Sequence, residues 1–228
     1  ARELRTGQTV TVRKDGIDIL IDLSGHTRGG RLGLFAYKPA PVQMTYLGYL
    51  NTTGMPTIDY RITDALGDPV GQSERYHVEK LLRLPDCMWC YAPHQLMPDV
   101  NALPAETSGH ITFGSFNNSM KLNSELIGLW ARVLGTVPSA RLIIAGVPSG
   151  KMRERIHEEF AMKKVDPGRV ELLGRLPMHG FWRLYHRVDV ALDSFPCNGG
   201  TTTFDSLWMG VPVVSQCGDR FASRAGFS

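Results

Sequence analysis

The chain has 228 residues, 43% hydrophobic and 21% charged, and 25 Lys+Arg against 22 Asp+Glu leave a formal charge of +3. That balance excludes a disordered tail, and no run reaches the roughly 18 apolar residues that cross a bilayer as a helix. The opening stretch ARELRTGQTVTVRKDG lacks a signal-like apolar segment, and no Lys/Arg run concentrates the small cationic excess. We therefore expect a cytoplasmic protein with no nucleic-acid partner and no membrane partner.

In chain order, Ile17 to Leu23 is a short apolar run closed by Ser24-Gly25, which reads as a buried strand. Arg31 to Tyr37 is a helical turn or two, stopped by Pro39 and Pro41. Val42 to Leu47 is the next strand, and Ile58 to Thr63 and Val78 to Leu84 are two more. Cys87-Met-Trp-Cys90 follows with CxxC spacing, but no second CxxC or His pair completes a zinc site. Its redox reading is the weaker one, since free cysteine is often a small buried hydrophobe. From Tyr91 to Gly109 three prolines break every period, and we place a linker at residues 93–109.

A cleaner alternation comes next. Ile111 to Phe116 is a strand, and Asn123 to Leu134 a helix with Leu126, Ile127, Trp130 and Val133 on one face. Arg141 to Gly146 is a strand, Lys151 to Lys164 a charged surface helix, and Val170 to Leu173 a strand. A helix around Phe181 to His186, a strand over Val188 to Leu192, a helix from Thr201 to Met209 and a strand from Val211 to Ser215 complete the series. Strands alternating with helices predict an α/β fold built on parallel sheet. Residues 1–92 and 110–228 are the expected domains on either side of the linker.

In such sheets a ligand sits beyond the carboxyl ends of the strands. Two strand-to-helix loops there carry chemistry. Phe195 to Thr203 reads FPCNGGTTT, in which glycines admit a phosphate close to the backbone and the helix start offers free N–H donors. Asp205, one turn into that helix, is placed to accept hydrogen bonds from sugar hydroxyls. A helix merely capped by Asn198 or a threonine is the alternative. Gly114 to Lys121 is the second loop, and its lysine would neutralise charge developing on a diphosphate leaving group. Neither loop is GxxxxGK[ST], and the sequence holds no Asp-x-Asp for a divalent metal, so no metal site is expected. In the first domain, His26 follows a strand end and a glycine, where it would serve as acid, base or donor; a packed or surface histidine is the alternative. Gly48 to Gly54 is a second polar loop at the same edge.

Three blocks, DLSGHTRGGRLGLFAYKPAPVQMTYLGYLNTTGMPTIDYRITD, ITFGSFNNSMKLN and LDSFPCNGGTTTFDSLWMGVPVV, together resemble the catalytic region of the SPINDLY / O-GlcNAc transferase family. They stand in family order between Asp15 and Arg224, and GHT and NTTG resemble the SPINDLY wording. The resemblance implies a GT-B-like fold of two Rossmann-like domains, both incomplete in this sequence. It implies inverting, metal-independent transfer of a sugar from a nucleotide sugar to Ser or Thr hydroxyls of a protein or peptide. UDP-GlcNAc is the expected donor, no cofactor is expected, and GDP-fucose is the alternative donor. A nucleotide-binding module without catalysis is the reading from another class.

By position, the resemblance makes Lys121 the lysine at the diphosphate and Asn118 a neighbouring donor-binding amide. Gly200, Thr201 and Thr202 become the phosphate-binding tripeptide, and Asp205 the ribose-binding aspartate. His26 joins Lys121 as a catalytic candidate, with Thr27, Asn51 and Thr52 lining the cleft. Phe181 stands where many relatives stack a histidine on the base, and Gly200 where animal relatives have a histidine. Tetratricopeptide repeats and the upstream half of the first domain are expected before this sequence in the whole protein.

Overall fold

The computed structural model describes residues 2–228, with side chains described for Gly7 and from Thr9 onward. The chain divides into two units. One comprises the residues up to Cys90 together with Gly218–Ser228, and the other is Tyr91–Cys217.

The first unit opens with helix α1 (Arg2–Lys14), which the sequence reading did not anticipate. Its Thr and Val residues have modest helix propensity and it shows no clean apolar stripe. Tertiary contact supports it: α1 packs on α2 (Leu32–Phe35), and Arg13 Nη2 donates to Tyr37 O at 2.9 Å. Strands β1 (Ile19–Asp22), β2 (Val42–Thr45), β3 (Tyr60–Asp64) and β4 (Lys80–Leu84) form a parallel sheet in that order.

The register puts Leu20, Gln43, Arg61 and Leu81 on one face and Ile19, Val42 and their alternates on the other. The first face is covered, and on it Leu34, Phe35 and Ile58 pack with Leu20. Gln43 on this face is tied in through its amide nitrogen: Nε2 donates to Phe35 O at 3.0 Å and Thr57 O at 2.7 Å. The expectation that the Ile17–Leu23 strand is buried is corrected. β1 lies at the sheet edge, and Ile19 and Ile21 are 53% and 44% exposed.

The second unit has a five-stranded parallel sheet ordered β7-β6-β5-β8-β9. A short helix α3 (Pro104–Ser108) precedes β5 (Thr112–Ser115), so the stretch read as linker carries a helix that starts on a proline. Then come α4 (Ser124–Thr136), β6 (Arg141–Ile144), α5 (Lys151–Met162) and β7 (Val170–Leu172). Helix α6 (Met178–Arg183) runs into a 3₁₀ turn, Leu184–Arg187. Strand β8 (Val190–Leu192), helix α7 (Thr201–Trp208) and β9 (Val213–Val214) complete the unit.

The two faces of this sheet have separate cores. Leu142 and Ile144 meet α4 and α5 through Ile127, Trp130, Leu134, Ile156 and Phe160. Ile143 and Ala145, one residue out of phase, meet Trp182, Tyr185, Met209 and Val211. Apolar residues on both sides of one strand are what a doubly covered parallel sheet requires. Asn123 caps α4, accepting from Leu126 N at 2.9 Å. The order places β5 beside β8, where the chain reverses the direction in which it adds strands, and the loops after these two strands diverge there.

Candidate functional site

The β5 and β8 loops are the two that the sequence marked, and the second unit brings them together. Lys121, at the end of the 3₁₀ turn Ser119–Lys121, donates from Nζ to Asn198 O at 2.6 Å. Thr202 Oγ donates to Asn117 Oδ1 at 3.0 Å, a second tie between the loops. Gly200 occupies the cap position of α7 and, among the described residues, no side chain caps that helix. Asn198 instead donates from Nδ2 to Ser194 O at 2.9 Å. No side-chain cap is therefore present; Thr203 N is taken up by Gly200 O at 2.9 Å, and the amides of Thr201 and Thr202 are the ones that open the helix toward an anion, with a half-buried lysine beside them.

Gly199 is needed for close approach. A Cβ there would stand 2.6 Å from Thr203 Oγ and 2.8 Å from Thr202 Oγ.

Two residues of this cradle escaped the sequence reading. Asp193, buried at the end of β8, accepts from Ser194 N, Gly199 N and the Asn117 Nδ2 amide at 2.8, 2.7 and 2.9 Å, and from Ser215 Oγ at 2.7 Å. Its carboxylate folds the glycine loop back over the strand end. Asn117 uses both ends of its amide, joining Asp193 to Thr202. An aspartate ending a strand just before a glycine loop was a readable signal; Asn117 was one of several polar residues in its loop.

Asp205 is buried on α7 and its Oδ1 accepts from Tyr91 Oη at 2.7 Å. Burial raises its pKa above the ordinary carboxylate value, and the Tyr91 hydrogen bond offsets only part of that. The same contacts push the Tyr91 phenol up, burial first and the Asp205 carboxylate second. Tyr91 thus holds one of the two oxygens expected to meet sugar hydroxyls. Phe181 is half-buried and meets Phe116 edge-on with centroids 5.8 Å apart, which sets it one residue from Asn117. Asn118 is exposed and its Oδ1 accepts from Met120 N at 3.0 Å, so the side chain caps its own turn. Thr201 is exposed, and Gly200 and Thr202 are half-buried.

In the first unit, His26 is exposed beyond β1, with Nε2 2.8 Å from Thr53 O and its ring edge-on to Tyr49 at 5.2 Å. Asp22, buried at the end of β1, accepts from Gly25 N at 2.8 Å and shapes the turn that presents the histidine. Thr27 Oγ donates to Ser24 O at 2.7 Å, within its own turn. Asn51 is exposed, and its Oδ1 accepts from Thr52 N at 2.9 Å. Thr52 Oγ donates inward to Glu79 Oε2 at 2.6 Å. The hydroxyls of Thr27 and Thr52 are therefore engaged within the unit.

Among the described residues, Cys87, Cys90, Cys197 and Cys217 form no disulfide. Among the described residues no cluster of three His, Cys, Asp or Glu side chains is arranged to hold a metal ion, and no helix is long and apolar enough to cross a membrane.

The chain is 44% identical over 220 residues to a probable UDP-N-acetylglucosamine–peptide N-acetylglucosaminyltransferase SPINDLY of Petunia hybrida, covering 95% of this chain and 24% of that protein. The SPINDLY of Arabidopsis thaliana gives the same identity and coverage. The chain thus spans about a quarter of these relatives' length. Among solved structures, a mutant of Thermobaculum terrenum O-GlcNAc transferase superposes with a TM-score of 0.90 at 38% identity, covering 97% of this chain and 42% of that one. Sucrose-phosphate synthase from Thermosynechococcus elongatus shares the fold alone, with a TM-score of 0.64 at 12% identity over 93% of this chain and 59% of its own. These neighbours are GT-B glycosyltransferases, and the α/β class with parallel sheets is the one the resemblance implied. The profile of glycosyl transferase family 41 matches residues 5–108 and 101–228, and the chain belongs to that family.

Proposed function

We propose that the protein containing this chain transfers GlcNAc from UDP-GlcNAc to Ser or Thr hydroxyls of proteins, with inversion and without a metal. The observation that carries the reading is the Lys121 Nζ to Asn198 O contact of 2.6 Å, which sets a cation at the uncapped start of α7. A diphosphate bound there meets helix amides, the Thr201 hydroxyl and the lysine, and the Thr202 hydroxyl where it turns away from Asn117 Oδ1. These groups favour the negative charge that grows on the departing UDP, and preorganised donors of this kind act mainly in the transition state. Asp205 would accept from the ribose diol in exchange for, or beside, its Tyr91 contact, and Phe181 would offer a ring to the base. His26 would handle the acceptor proton. The names of the relatives, UDP-GlcNAc–peptide transferases, support the donor and acceptor classes.

Calorimetric titration of the full-length protein with UDP-GlcNAc and with GDP-fucose tests the donor. Binding of UDP-GlcNAc alone supports the proposal, binding of GDP-fucose alone transfers it to protein O-fucosylation, and binding of neither removes both. Turnover on a Ser/Thr peptide should survive excess chelator unchanged. A loss restored by added divalent ion would overturn the metal-free part.

A further inference from the structure

The loop Tyr49–Thr53 is held from beneath by two charged side chains that no motif marks. Arg61, 0% exposed on the covered face of β3, donates from Nη1 to Tyr49 O and to Asn51 O, each at 2.9 Å. Its guanidinium lies 3.8 Å from Asp68 and over the Phe221 ring at 4.9 Å. Glu79, 4% exposed just before β4, accepts Thr52 Oγ at 2.6 Å, Thr53 N at 2.7 Å and the Thr53 hydroxyl. Five hydrogen bonds thus fix a five-residue loop to the sheet, and every one involves a charged group, the stronger kind.

The outer side of that loop touches His26. A carbonyl oxygen can only accept, so the 2.8 Å contact with Thr53 O requires a proton on Nε2. A neutral imidazole then keeps its lone pair on Nδ1. Tyr49, packed edge-on against the ring and itself held through its carbonyl, hinders a ring flip that would carry Nε2 away from Thr53 O.

We propose that Glu79 and Arg61 are positioning residues that hold His26 as its Nε2–H tautomer, with Nδ1 as the atom that takes the acceptor's proton. This rests on the proposed glycosyl transfer. In that step the hydroxyl proton of Ser or Thr passes to Nδ1 and the oxygen's electron pair forms the bond to the anomeric carbon. The bond from that carbon to the diphosphate breaks, and its electron pair leaves with UDP.

The test uses the full-length protein with Glu79→Gln and Glu79→Asp. Gln removes the charge and places an NH₂ where an acceptor is needed; Asp keeps the charge on a shorter arm. For Glu79→Gln we expect kcat to fall about 10- to 100-fold with the donor KM and UDP affinity within about twofold of wild type. Glu79→Asp should recover part of the loss. Long-range ¹H–¹⁵N spectra of protein labelled at histidine should show the Nε2–H tautomer for His26 in the wild type and a mixture in the Gln variant. An unchanged kcat, a donor KM rising in step with the loss, or a wild-type Nδ1–H tautomer would each overturn the proposal. If the Gln variant does not fold, Thr53→Val, which keeps the carbonyl but loses the hydroxyl tie to Glu79, is expected to give a smaller change of the same kind; unchanged kcat and tautomer there would overturn it. Should wild-type protein transfer no sugar, the functional reading fails by itself, and the tautomer still decides the clamp.

Discussion

At the residue scale, the three charged groups Lys121, Asp205 and Glu79 make distinguishable predictions. Lys121→Ala should reduce kcat by about 10²- to 10³-fold, the range for losing one preorganised charge donor. UDP-GlcNAc affinity should fall less, because leaving-group charge is greatest in the transition state. Steady-state kinetics beside calorimetry separates the two, and equal losses would mean a ground-state phosphate contact. Asp205 carries a raised pKa, so the stability it contributes is fully present below the ordinary Asp value near 3.9 and is lost as pH rises through the folded value. At neutral pH its buried charge is a cost. Asp205→Asn, which can still accept from Tyr91, should keep or raise the thermal midpoint at pH 7 while weakening UDP-GlcNAc binding by roughly tenfold or more, the worth of a hydrogen bond to a charged acceptor.

Glu79 has the opposite sign. Burial works to raise its pKa, but the hydrogen bonds from Thr52 and Thr53 outweigh it and the net shift is downward. Its stabilisation is present above the unfolded value near 4.3 and is lost as pH falls through the lower folded value. Urea unfolding between pH 3 and 6 should show a shallower acid limb for Glu79→Gln than for wild type. Parallel limbs would place its effect elsewhere.

At the element scale, the donor cradle depends on two loops meeting at one strand pair. Gly199→Ala puts a Cβ against the Thr202 and Thr203 hydroxyls and 3.1 Å from Asn117 Oδ1, so the glycine loop must shift away from α7. UDP affinity should fall at least about tenfold with the circular dichroism spectrum unchanged, because the clash lies at the surface end of β8 and spares both cores. Helix α4 poses the complementary case. Trp130 is 2% exposed against β6 and α5, and Trp130→Ala should cost about 3–5 kcal/mol by chemical denaturation. A cost below about 1 kcal/mol would mean that the site collapses around the smaller side chain.

Helix α4 was also legible in advance, because Leu126, Ile127, Trp130 and Val133 recur at helical spacing. Helix α1 was not, because its stability comes from packing on α2 and an arginine reaching Tyr37. The β1 strand was legible but its environment was not. An apolar run reads the same at a sheet edge as in a sheet centre, and only strand order distinguishes them.

For the whole molecule, the sequence by itself determined a great deal. Alternating strands and helices required parallel sheet, glycines and threonines at a helix start marked an anion cradle, and three motif blocks pointed to the family. Those features are local: periodicity, turn chemistry and short spacing are written in consecutive residues. Tertiary structure decided which distant residues complete the site. Lys121 meets Asn198 across 77 positions, Tyr91 meets Asp205 across 114, and Glu79 reaches back 26 and 27 to Thr53 and Thr52. It also returned Gly218–Ser228 to the first unit. Such pairings follow from strand order and register, which arise when the sheets close, and a linear pattern does not carry them.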